Sequence, residues 1–172
     1  FARLANEAAS NTGQPAPYPN LAEVVNTNWQ EEIFRIAPVQ NYNLSATGGT
    51  NIFKYAISSE YFDQDGILLN SGFNRYSFRA NFDLKISEKL KFASFITASR
   101  TKKSNSAETG DEFSPIRFAL FSSPADPVYL STGEYNFDTN IGDGILNNPV
   151  AQVKESVNDN YTNRILSNMV LQ

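Results

Sequence analysis

The sequence predicts an all-β fold, a partial antiparallel up-and-down transmembrane β-barrel with long extracellular loops. Three observations carry that expectation. From Val39 to Ser99 apolar and polar residues alternate with a period of two, the repeat of an extended strand with one covered face. The alternating runs are near ten residues long, whereas strands in water-soluble domains usually hold about five or six. The connections between the runs also alternate, short then long, as in a meander whose tight turns all lie at one end.

Residues 1–38 hold Pro15, Pro17, Pro19 and Pro38 among many Asn and Ala, and read as a connector. One short helix is expected within it, at NTNWQEEIFRI. There Asn28 caps the first turn, Glu31 follows three residues on, and Trp29, Ile33 and Ile36 share a face. Residues 39–172 are expected to supply the strands. In NYNLSATGG, Tyr42, Leu44 and Ala46 alternate with polar residues, and Gly48-Gly49 permits a tight turn. FKYAISSEYF sets Phe53, Tyr55, Ile57 and Tyr61 against Lys54, Ser58 and Glu60.

The third run, FNRYSFRANFDLK, is the cleanest. Tyr76, Phe78, Ala80, Phe82 and Leu84 fall on one face, and Ser77, Arg79, Asn81, Asp83 and Lys85 on the other. Leu90 to Ser99 is a fourth strand with weaker alternation, because Ala93 and Phe95 interrupt the polar face. YTNRILSNMVLQ is a last strand whose facing the pattern leaves open. Between these two, residues 100–160 with four prolines are expected to form one long extracellular loop.

Strand length and loop rhythm decide what covers the apolar face. Left in water, the apolar side chains of the third run would forgo on the order of 10 kcal/mol of burial, comparable to the net stability of a domain. A ten-residue strand rises roughly 33 Å, and a tilt near 45° matches its vertical span to the ~25 Å apolar band of an outer-membrane barrel. Tyr76, Phe78, Ala80, Phe82 and Leu84 are therefore expected to face lipid, and Arg75 and Arg79 are candidates for meeting a plug or a passing substrate from a polar lumen; a hydrated wall in which they and Asp83 neutralise one another is the bland alternative. The competing expectation is a soluble β-sandwich carbohydrate-binding module in which the same face is the core.

Composition narrows the chemistry. The 172 residues include no Cys and no His, which removes disulfides, thiolate sites, the commonest general base and the usual zinc ligand. An enzyme is not expected, nor a metal, a cofactor or a catalytic residue. The net charge of −4, with basic residues scattered along the chain, argues against a nucleic-acid partner. No apolar run reaches the ~18 residues of a membrane-spanning helix. The mean hydropathy of −0.38 is silent about barrels, whose strands are only half apolar. The sequence begins at Phe1 without a signal-type segment, and reads as a piece of a longer protein.

The short motifs favour bland readings. Asp63, Asp65 and Gly66 lack the remaining acids of a calcium loop. Gly142-Asp143-Gly144 follows no buried strand and suits a turn better than a phosphate cradle. The pairs Glu31-Glu32 and Asp111-Glu112 read as solvated charge, and the sequons at Asn43 and Asn160 as chance. In the long loop, Asp126, Tyr129, Tyr135 and Phe137 are candidates for holding a substrate, since aromatic faces with nearby acids and hydroxyls suit sugars and peptides alike. Packing onto neighbouring loops accounts for the same rings equally well.

NTNWQEEIFRIAPVQNYNLSATGG (26–49), YFDQDGILLNSGFNRYSFRANFDL (61–84), FSSPADPVYLSTGEY (121–135) and NNPVAQ (147–152) together resemble the SusC/RagA family of TonB-dependent outer-membrane transporters. The order and spacing of these blocks carry the likeness, which covers most of the chain from Asn26 onward. The resemblance implies a plugged barrel of roughly 22 strands in a bacterial outer membrane. Such a barrel imports oligosaccharides or peptides, with a SusD-like surface lipoprotein over its outer loops and TonB acting through the plug. No plug, no TonB-contacting segment and only about five strands are present here. On that reading residues 1–38 connect plug to barrel.

Overall fold

The computed structural model describes residues 1–104, 114–137 and 148–172, which form two compact units: Phe1–Arg35 with Ala107–Ser156, and Ile36–Ser106 with Val157–Gln172. The Gly142–Gly144 and Asp111-Glu112 motifs lie outside the described residues.

The second unit is one antiparallel sheet of five strands, β1 (Val39–Gly49), β2 (Phe53–Asp65), β3 (Gly72–Ser87), β4 (Leu90–Ser104) and β5 (Asp159–Leu171), in the order β1-β2-β3-β4-β5. All five expected strands are present. β4 runs five residues past the expected Ser99, because Arg100 to Ser104 keep pairing with both Gly72–Tyr76 and Asp159–Asn163. Residues 50–52 and 88–89 make tight connections at one end of the sheet; residues 66–71, the end of β4 at Ser104 and the start of β5 at Asp159 are at the other. The chain enters β1 at that second end, where the Pro38 carbonyl accepts from Asp65 N at 3.1 Å.

Register extends the alternation across the sheet. Leu44, Ser59, Phe78, Ala98 and Ile165 stand in one cross-strand row, and Ala46, Ile57, Ala80, Ile96 and Ser167 in the next. Tyr42, Tyr61 and Tyr76 form a row of neighbouring rings at the loop end of this face, the first pair stacked and the second tilted, with centroids 6.4 and 4.7 Å apart. Phe53, Leu84, Phe92 and Leu171 close the face near the tight turns. The eight steps from Tyr76 to Leu84 rise roughly 27 Å, or about 20 Å vertically at a 40–45° tilt, close to the apolar band of a barrel. The facing of β5 is also decided: Ile165, Met169 and Leu171 join the apolar side.

Two glycines make the first tight turn possible. Gly49 has φ +150°, and a Cβ there would run into the Phe53 carbonyl oxygen. Gly48 lies under the Tyr55 ring across the ladder, where a Cβ would meet the phenol at 2.7–3.1 Å.

The sandwich expectation fails. A sandwich needs a second sheet over the apolar face, and the described residues contain a single sheet with that face open: Leu44 and Ile165 are each 77% exposed and Tyr76 59%.

Among the described residues the first unit holds four short helices. The expected one, α2 (Trp29–Ile33), is capped by Asn28, whose side chain accepts from Glu31 N, and it buries Trp29 and Ile33. Ile36 does not share that face and is 97% exposed. Phe34 is already extended (φ −103°, ψ 155°), because the chain must straighten toward Pro38 and β1. Three helices were not expected: α1 (Ala2–Asn11), α3 (Pro115–Phe121) and α4 (Pro149–Glu155). The first is alanine-rich and buries no residue, its apolar face being made mostly of small side chains. The other two each begin with proline at the first helical turn. A Ser or Asn followed by Pro is a helix start as well as a loop marker, and that is the signal passed over.

Candidate functional site

Two groups of side chains merit attention, one in each unit. The first is the polar face of the sheet. Because side chains alternate, each strand delivers its odd or even residues to this face as register dictates. Cations arrive from four strands: Lys54 on β2; Arg75, Arg79 and Lys85 on β3; Lys91 and Lys103 on β4; Arg164 on β5. Among the described residues these seven meet only two carboxylates on the same face, Glu60 and Asp83. The chain as a whole carries −4, so its negative charge lies elsewhere. Basic residues that are scattered in sequence are gathered by the register.

Arg75 forms an ion pair with Glu60 at 3.2 Å and lies 5.6 Å from the Phe62 ring centroid. Arg79 is exposed and has no carboxylate partner among the described residues. Lys54, Asp83, Lys85 and Lys91 line a common cleft of about 440 Å³ at the tight-turn end. Between the charges stand Ser77, Asn81, Thr97 and Ser99, which add hydroxyl and amide groups to the surface.

The second group lies on residues 128–137 and α4. A tight hairpin forms where Gly133, at φ +87°, donates to the Leu130 carbonyl at 2.9 Å and Leu130 N donates to the Glu134 carbonyl at 2.8 Å. The hairpin pairs Tyr129 with Tyr135, whose ring centroids are 5.1 Å apart, and Phe137 meets Tyr135 edge-on at 6.4 Å. The three aromatic residues singled out in the sequence are thus brought together.

Their polar partners were not foreseen. Lys154 Nζ donates to the Tyr129 hydroxyl at 3.0 Å, and the Tyr135 hydroxyl donates to Glu155 Oε1 at 3.1 Å. Desolvation among the rings, aided by Glu155, raises the Tyr135 phenol pKa. The bond to Tyr129 raises that of Lys154, so both groups keep their protons at neutral pH. Tyr129 and Phe137 remain exposed, which leaves a ring surface open for stacking.

Asp126 does not join them. Its backbone carbonyl accepts from Thr27 Oγ1 at 2.7 Å, and no described contact links its carboxylate to the three rings. Desolvation raises the Asp126 carboxyl pKa. An acid whose folded pKa lies above its unfolded value costs stability as pH rises through the unfolded value toward the folded one. Asp126→Asn should therefore protect residues 114–137 from proteolysis at pH 7 at least as well as the parent residue does, and the two should converge as pH falls to about 4. Weaker protection of the Asn form at pH 7 would count against this burial.

Asn148 anchors the group from beneath. Fully buried, it donates to the Val128 and Asn136 carbonyls at 2.8 and 3.0 Å and accepts from Val150 and Ala151 N at 3.0 and 3.1 Å. One amide therefore caps α4 and fixes both arms of the hairpin. Trp29 adds a link from α2, its indole N–H donating to the Ser123 carbonyl at 2.8 Å.

No family model matches the chain. A TonB-dependent receptor P26 of Formosa agariphila is 30% identical over 168 residues, which is 96% of this chain and 16% of that protein. A second from the same organism, TonB-dependent receptor P3, is 34% identical over 143 residues, 78% of the chain and 14% of the relative. TonB-dependent receptor SusC of Bacteroides thetaiotaomicron is 34% identical over 116 residues, 65% of the chain and 11% of that protein. The chain thus spans about a sixth or less of these relatives. Among solved structures, the RagAB peptide importer in its closed-closed state has a chain that superposes with a TM-score of 0.53 at 20% identity, over 84% of this chain and 17% of that one. The RagAB peptide transporter gives 0.53 at 21%.

Proposed function

Since the chain is a SusC/RagA-like TonB-dependent transporter segment, we propose that it supplies consecutive wall strands of an outer-membrane importer for oligosaccharides or peptides. The observation that carries this is the open apolar face of the sheet, five rows deep and edged by a tyrosine row. Such a face needs lipid, and a tyrosine row suits the boundary between acyl chains and headgroups. β1 and β5 leave an unpaired edge on each side, which a membrane does not tolerate, so further strands of the same protein must flank them. The relatives bear the names of receptors and importers, in keeping with transport rather than catalysis.

With the tight turns toward the periplasm, the long connections fall on the cell surface. Residues 36–38 lead into β1 at that outer end. The Tyr129, Tyr135 and Phe137 cluster is then a surface platform for cargo or for a SusD-like lipoprotein, while TonB engages parts of the protein outside this chain.

Quenching by brominated lipids tests the facing. In full-length protein with Trp29 and the tryptophans outside this chain replaced by Phe, single tryptophans placed by Tyr76→Trp, Phe78→Trp and Phe82→Trp should be quenched strongly, and Arg79→Trp weakly. Equal quenching at 78 and 79, or none at any site, would overturn the assignment.

A further inference from the structure

We propose that the polar face of the sheet is an electropositive track that selects anionic cargo, oligomers bearing carboxylate or sulfate groups along their length. This deepens the transport reading and rests on it, because it requires that face to line the lumen.

The first support is imbalance: seven cations against two carboxylates on one face of a chain whose overall charge is negative. The second is continuity. From the loop end to the tight turns the cross-strand rows contain, in turn, Lys103, Arg75, Arg164, Arg79, then the uncharged row of Asn81 and Phe95, then Lys54, then Lys85 with Lys91. Successive rows are roughly 6.7 Å apart and neighbouring strands about 4.8 Å, so consecutive cations along this path stand about 8–14 Å apart, from one to less than two Debye lengths of about 8 Å at physiological salt. In open solution salt would screen the wider of these gaps, but a lumen bounded by low-dielectric wall focuses the fields of the cations that line it.

The third support is partnering. Arg75 is paired with Glu60, but Arg79 has no carboxylate partner among the described residues, and the tight-turn cleft gathers three lysines about Asp83. Hydroxyl and amide side chains between the charges supply hydrogen bonds to a polar backbone. Sulfated or uronate-bearing glycans and acidic peptides share the chemistry such a surface recognises. An acidic surface of the plug is the competing occupant.

The test uses purified full-length protein with length-matched probes: neutral dextran, dextran sulfate, oligogalacturonate and oligoglutamate. At low salt at least one anionic probe should bind tenfold or more tightly than dextran, with the preference shrinking as salt rises. The sulfate, uronate and peptide arms identify which source fits best. Combined Lys54→Gln, Arg79→Gln and Arg164→Gln should erase the preference about tenfold, and Arg79→Lys with Arg164→Lys should retain it.

Absence of any preference overturns the proposal, as does a preference the triple variant leaves unmoved. A triple variant that instead admits vancomycin into cells, with no binding preference to lose, assigns the face to the plug and also overturns it. If the brominated-lipid pattern holds while charge preference is missing, only this inference falls. If the lipid pattern fails, the facing fails and the track falls with it.

Discussion

Phe78→Arg is expected to prevent stable insertion of the full-length protein into the outer membrane, while Asn81→Arg, three residues along the same strand, is tolerated. Phe78 lies one row from the middle of the apolar band, between Ser59 on β2 and Ala98 on β4. An arginine near the bilayer midplane of a barrel costs about 2–4 kcal/mol, and the lost phenylalanine burial adds about 1.5–3 kcal/mol. Together these approach the whole stability of a modest domain. Asn81 belongs to the opposite face, where an arginine joins the cations already there. Urea titration of protein refolded into vesicles, with heat-modifiable mobility as the readout of a closed barrel, measures both variants. Equal tolerance of arginine at 78 and 81 would mean that the apolar face does not meet lipid.

Asn148→Ala should loosen the aromatic platform without touching the sheet. The substitution removes the cap of α4, worth about 0.5–2 kcal/mol, and takes the side-chain amide donor from the Asn136 carbonyl and from the Val128 carbonyl, which keeps only its bond from Asn136 N. A total near 3 kcal/mol corresponds to about a hundredfold loss of amide-exchange protection where local opening governs exchange. Residues 128–136 and 148–155 should show it, and β1–β5 should not. Asn148→Ser keeps a capping oxygen and should lose less. Exchange that is unchanged at Val150 and Asn136 would show that Asn148 does not hold the hairpin and helix together.

The two experiments probe parts of the protein that differed in how far they could be read from sequence. Tyr76, Phe78, Ala80, Phe82 and Leu84 announce their shared face because neighbours two apart in a strand must point the same way. The turn glycines and the short-long rhythm of connections then suffice for a meander. Asn148 announces nothing. Its partners lie twelve and twenty residues away in sequence, and its only local sign is the following proline. The same holds for Lys154 and Glu155, which meet Tyr129 and Tyr135 through a helix that looked like loop.

The sequence by itself determined that five strands exist, the two faces of the first three and the single capped turn at Asn28, since each follows from backbone periodicity and sterics within a few residues. Only the tertiary structure decided which strand's residues share a row, and with it the gathering of Lys54, Arg79, Arg164 and their companions on one surface. It also decided that Ile36 is solvent-exposed and that one buried amide ties a hairpin to a helix. The physical reason is range. Periodicity is a property of adjacent residues, whereas charge density and buried hydrogen bonds depend on register and packing between segments far apart in the chain.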